Sequence, residues 1–212
     1  MNTGHLIEAL AADARVGRGT IAATAAIALS ASALITLIVF FGLMGSRPDI
    51  GSSDVLAAIC GKLAVTLSMA AVGVILTLRL TRPEALGKNT LLLLLLPVAV
   101  LATVVAASFW QTGAAGWQQR MIGKNGLHCL MAIPMLGILP LAAVVLTLVR
   151  GAVTQHASAG IATGLAAAGI STSIYAFYCP DDSPLFVALW YSASTLILVG
   201  AGYVICRRVL RW

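Results

Sequence analysis

Two cysteines in this chain have neighbours that could do chemistry with them. Cys129 directly follows His128, and Cys179 opens the tetrad Cys179-Pro180-Asp181-Asp182. Two thiolates, the imidazole of His128 and a carboxylate from Asp181 or Asp182 would make a donor set suited to a thiophilic metal ion. The same two thiols could instead pass between reduced and disulfide-bonded forms, provided their Cα atoms lie within about 7 Å. A third reading gives them no chemistry, because free cysteine often packs as a small buried apolar side chain. His128 would then be an interfacial side chain and the aspartates a solvated turn. Cys60 and Cys206 have no comparable neighbours. The sequence holds no Ser/His/Asp arrangement, no CxxC and no phosphate-cradling glycine loop. No catalytic residue is therefore expected, the chain reads as a non-enzyme, and the one cofactor considered is a metal ion at Cys129 and Cys179.

Whether these residues meet depends on the elements that carry them. The chain has 212 residues, of which 60% are hydrophobic and 9% charged, with a mean hydropathy of +0.99. A soluble domain carries roughly 25% charged residues, so a soluble enzyme and a disordered chain are both excluded. The net charge of +6 invites a nucleic-acid reading, but the 13 Lys and Arg are scattered between apolar runs. Such residues mark membrane topology rather than a nucleic-acid footprint.

The runs predict an all-α polytopic bundle with six transmembrane helices, near 20–44, 59–80, 90–110, 127–149, 159–178 and 185–206. Each is long enough to cross ~30 Å of hydrocarbon. The first is longer than the 7–15 apolar residues typical of a cleaved signal, so it is expected to be retained. A cytoplasmic segment, 1–19, precedes this domain of 20–206, and a short tail, 207–212, follows it. Lys62 falls in the first turn of the second span, where it is expected to snorkel to the interface. Gly160, Gly164 and Ala168 recur every four residues, which predicts a closely packed, central fifth helix. Pro97, Pro134 and Pro140 are expected to bend their helices.

An even number of spans puts both termini on one side. That side holds Arg15, Arg18, Arg79, Arg82, Lys88, Arg150, Arg207, Arg208 and Arg211. The other holds Arg47, Lys62, Arg120 and Lys124. The excess places the termini in the cytoplasm. Trp110, Trp117, Tyr175 and Tyr178 would form an outer aromatic belt, with Tyr203 and Trp212 at the inner face. Cys60 (in the first turn of its span), Cys129 and Cys179 then lie at outer helix ends, and Cys206 about a bilayer thickness away. If the fourth and fifth helices are neighbours, His128, Cys129, Cys179, Asp181 and Asp182 converge at one membrane–water boundary. No acidic residue sits deep in a span, which counts against ion-coupled transport.

The N-terminal segment carries a second signal. Thr3 could cap a short helix on which Leu6, Ile7 and Leu10 share one face. Such a helix is marginal alone in water and suits a groove on a partner. The alternative, a helix lying on the membrane, fits less well because the segment lacks a basic face.

Several stretches together resemble a known family. They are His128-Cys129-Leu130 with Ile133-Pro134 and Pro140-Leu141, then Arg150-Gly151, Ala159-Gly160 and Gly164-Leu165. Tyr175 follows, with Cys179-Pro180-Asp181-Asp182-Ser183-Pro184-Leu185-Phe186, Trp190-Tyr191 and the terminal Leu210-Arg211-Trp212. The pattern resembles the NrsF family, six-span bacterial inner-membrane proteins named as negative regulators of sigma F. The resemblance implies an anti-sigma factor that holds an extracytoplasmic-function sigma factor and releases it on heavy-metal or oxidative stress. It maps the family's paired cysteines onto Cys129 and Cys179, and its Leu-Ile start onto Leu6-Ile7 within His5-Leu6-Ile7-Glu8-Ala9-Leu10. The implied partners are the sigma factor and the lipid bilayer, with no direct contact to nucleic acid. Rival readings are a membrane thiol redox protein, a passive small-molecule transporter and a structural subunit of a larger complex.

Overall fold

A computed structural model describes residues 3–5, 7–8, 18–81, 92–113, 116–151 and 153–210. Among the described residues every regular element is helical. The six long helices are α1 (Arg18–Leu43), α2 (Ser53–Leu80), α3 (Leu95–Thr112), α4 (Gly126–Leu148), α5 (His156–Tyr175) and α6 (Pro184–Val209). Each lies in a segment long and apolar enough to cross a bilayer. A short helix, Trp117–Ile122, precedes α4. Helix α6 opens with one α-turn, widens to a π-turn at Val187–Tyr191, and continues as Ser192–Val209.

The expected spans match these helices except at the start of the second. Ser52 has the extended backbone of an N-cap, and Asp54 sits in the first turn of α2, where a carboxylate complements the helix dipole. Apolar content marks where hydrocarbon begins, whereas capping residues mark where the helix begins. Cys60 is therefore two turns inside α2 and exposed on its surface, not in the first turn. Pro134 and Pro140 lie within α4. Pro97 falls in the first turn of α3, directly after the 3₁₀ turn Leu92–Leu94. A missing N–H is tolerated there, so Pro97 belongs to the start of its helix and is not a mid-span bend.

Helix α5 is the centre of the bundle, packed against α2, α4 and α6, while α1 leans on α4 and α3 lies mainly along α2. The least apolar of the six is thus the most buried, and the most apolar, α3, is the least buried. A helix surrounded by protein does not have to satisfy lipid, but a peripheral one does. The expected row of small residues makes this packing work. A Cβ at Gly160 would strike the Gly202 carbonyl and one at Gly164 the Leu198 backbone; Gly169, outside that row, is pressed as closely against the Ala70 backbone. The aliphatic hydroxyls buried in α5 are spent within the helix: Thr163, Thr172 and Ser173 each donate to a carbonyl one turn back at 2.7 Å.

Gly202→Val is expected to force α5 and α6 apart, since the obstruction is backbone. Overpacking costs about 1–3 kcal/mol, and a barrier that cannot rotate away belongs at the upper end. Thermal melting in detergent should fall clearly for this variant. It should stay unchanged for Gly200→Val, whose Cβ meets nothing within 4 Å.

Candidate functional site

Cys129 belongs to the first residues of α4, and its N–H closes the first turn onto the Asn125 carbonyl at 2.9 Å. Cys179 ends the turn that leaves α5, with its N–H donating to the Tyr175 carbonyl at 3.1 Å. Packing of α4 on α5 brings the two sulfurs to 3.7 Å. Both are free thiols with no solvent exposure. The convergence expected for these two residues is present. Cys60 and Cys206 are not part of it.

Two phenols surround the thiols. The hydroxyls of Tyr175 and Tyr191 are buried with no hydrogen-bond partner among the described residues and lie within electrostatic reach of both sulfurs. Tyr175 is fully buried and does not join an interfacial belt. Its ring packs against His128, Tyr178 and Tyr191, at centroid distances of 6.2, 5.9 and 6.2 Å. An aromatic one helical turn before Cys179 points into the same interface as the thiol, which removes it from the surface.

The aspartates of the tetrad have structural partners. Asp181 accepts from the Asn125 N–H at 2.9 Å, the Asn125 amide at 3.1 Å and the Lys124 N–H at 3.3 Å. It thereby satisfies orphan donors at the start of α4, where a carboxylate also complements the helix dipole. Asp182 accepts from Lys62 Nζ at 2.7 Å and from Arg47 Nη1 at 2.8 and 3.0 Å. His128 is exposed and stacks near Tyr178 at 5.9 Å. Among the described residues, no three His, Cys, Asp or Glu side chains are grouped to hold a metal ion. The structure thus gathers the two thiols and leaves His128, Asp181 and Asp182 engaged elsewhere.

Sequence reasoning missed the cations. Lys62 does not snorkel: it is 3% exposed and donates to the Cys179 carbonyl at 2.8 Å as well as to Asp182. Arg47, expected only as a topology marker, is buried at 7% exposure. It holds Asp49 in a two-pronged pair at 2.6 and 2.7 Å and reaches the Cys179 carbonyl at 3.3 Å. Two cations thus clamp the peptide of Cys179 from one side while Cys129 meets its sulfur. The available signal was Lys62 itself, a charge inside an apolar helix, which asks for a partner as much as for an escape to water.

The Cys179 thiol is held below its ordinary pKa, first by the hydrogen bond from Cys129 and then by the nearby Lys62 ammonium, against the opposing effect of burial. Its thiolate, the reactive form, is therefore present at lower pH than in a free cysteine. Modification of Cys179 by a small permeant thiol reagent should rise with pH through a midpoint below the usual thiol range. Cys129→Ala removes the donor that favours the thiolate, so the midpoint should move up. An unmoved midpoint would contradict this assignment.

The family model described as "Negative regulator of sigma F" (NrsF) matches residues 10–212. The chain is 31% identical to the anti-sigma-F factor NrsF of Caulobacter vibrioides (strain NA1000 / CB15N), covering 100% of both chains. It is 28% identical to the probable anti-sigma-F factor NrsF of Azospira oryzae (strain ATCC BAA-33 / DSM 13638 / PS), again over 100% of both. No solved structure matches.

Proposed function

We propose, from the premise that this chain belongs to the NrsF family of negative regulators of sigma F, that it is a six-span inner-membrane anti-sigma factor switched by Cys129 and Cys179. Both termini lie in the cytoplasm, in keeping with the excess of Lys and Arg on that side. The thiol pair then sits at the periplasmic end, where oxidising conditions permit disulfides. The segment 1–19 docks an extracytoplasmic-function sigma factor through Leu6, Ile7 and Leu10. Ile7 is helical and 67% exposed, as a docking side chain must be, whereas Leu6 and Leu10 lie outside the described residues.

The observation that carries the reading is the 3.7 Å contact between two buried thiols from different segments. Peroxide would oxidise the pair: the two thiols lose two protons and two electrons, an S–S bond forms, and hydrogen peroxide is reduced to two waters. A soft metal ion would instead be held by both thiolates, releasing two protons. Either event changes how the turn after α5 sits against the first turn of α4. Rigid helices can convey such a shift along the bundle to the docking segment. Moving from nearly all bound to nearly all free requires about 5.5 kcal/mol of differential affinity, which a covalent bond or two metal–thiolate bonds can supply.

The test is transcription of the sigma-dependent genes in cells carrying Cys129→Ser, Cys179→Ser or both, challenged with cadmium or peroxide. Each variant is expected to keep repression and lose induction. Induction at the wild-type level in the double variant would reject the sensor.

A further inference from the structure

A groove runs along the flank of the bundle between α2, α3 and the start of α6. It consists of two adjoining cavities of about 410 and 370 Å³ that share Val65, Leu101 and Val187 in their walls. Both volumes are in the range of sites that hold a discrete ligand. The chemistry changes along its length. Asp54, Lys62 and Asp182 line the first cavity, while Met69, Val98, Leu165 and Leu196 line the second. Along α3 it extends from Ser108 to Leu94, about 21 Å at 1.5 Å per residue. One leaflet, headgroups included, is about 20–22 Å thick, half of a whole bilayer.

Lys62 supplies a specific reason for an occupant. It lines the first cavity and gives two N–H groups to the Cys179 carbonyl and Asp182. An ammonium has three donors, so one remains without a partner among the described residues, on a side chain only 3% exposed. A buried donor left over calls for an acceptor, and beside this cavity a phosphodiester oxygen can supply one. Asp54, on the wall of the same cavity, complements a cationic group.

The geometry points to a site for one zwitterionic phospholipid of the phosphatidylethanolamine class. Its phosphodiester meets Lys62, its ammonium faces Asp54, and an acyl chain follows Leu101 and Val98 between α2 and α3. The site requires that the helices span a bilayer, but not that the thiols sense anything.

Native mass spectrometry of the full chain, released from micelles holding equal phosphatidylethanolamine and phosphatidylglycerol, tests it. The wild type is expected to retain one phosphatidylethanolamine, in preference to phosphatidylglycerol by about tenfold. Gly61 lines the first cavity and a Cβ there meets only the Val104 side chain, at 3.8 Å, so Gly61→Phe is the variant that plugs the groove from α2. Retention should drop about tenfold at an unchanged melting temperature. Ala107→Phe obstructs the groove from the α3 wall and should do the same, and Asp54→Asn should abolish the headgroup preference. The site is overturned if the wild type retains no lipid, retains both lipids equally, or holds an isoprenoid quinone instead. It is equally overturned if both plugged variants keep the lipid. Cross-linking of Cys129 to Cys179 in the same samples reports on the sensor separately.

Discussion

Asp182→Ala is expected to be the most destabilising single substitution at the thiol site, lowering the melting temperature in detergent by roughly 6–12 °C. Asp182 is the anion shared by Lys62 and Arg47. Removing it leaves two largely buried cations facing each other across the Cys179 carbonyl, which both of them also contact. Breaking a buried pair from one side costs about 3–5 kcal/mol, chiefly because the surviving charge is left uncompensated. The lower end applies, since Asp182 is 31% exposed and water can enter. Replacing the charges together, Lys62→Met with Asp182→Asn, should cost less than Asp182→Ala alone, because less charge is stranded. Asp49→Ala should cost below about 1 kcal/mol, because Asp49 is 54% exposed. If Asp49 mattered more than Asp182, the shared-anion account of this end of the bundle would be wrong.

Introducing charge on the proposed docking face should have the largest functional effect. The variant Leu6→Asp, Ile7→Asp and Leu10→Asp is expected to express its target genes constitutively, with no inducer. Fully burying a Leu or Ile side chain is worth about 1.5–3 kcal/mol, and every 1.4 kcal/mol is tenfold in affinity. Three carboxylates in place of three anchors therefore exceed what a micromolar complex could survive. Pull-down of the sigma factor by the full-length protein in detergent, alongside transcription in cells with matched protein levels, measures this. Wild-type capture by the triple variant would show that the inner loops, not segment 1–19, hold the partner. The two predictions separate cleanly: Asp182→Ala acts through stability, whereas the docking variant should melt as the wild type does.

The site was legible in part. Cys129 and Cys179 stand out because each opens or follows a chemically unusual stretch, and their meeting followed once the fourth and fifth helices were taken as neighbours. The row Gly160, Gly164 and Ala168 pointed to α5 as the inner helix, and its glycines approach the α6 backbone as closely as that required. The fates of Lys62, Tyr175 and Asp181 were not legible. Snorkelling, an aromatic belt and a solvated turn are sound defaults for isolated side chains, and each was overridden by a neighbour from a distant part of the chain.

The sequence by itself determined the number of membrane-length helices and which residues are apolar enough to face hydrocarbon. It also identified the two thiols worth watching. These are properties of contiguous stretches, set by hydropathy and by the length needed to satisfy backbone groups without water. Only the tertiary structure decided that Arg47 and Asp182, 135 positions apart, share a charge cluster with Lys62, and that Asp181 caps α4 instead of joining the thiols. Such pairings depend on which helices touch. In this bundle that choice is made by backbone-to-backbone contact at small residues on α5, whose partners no single span reveals.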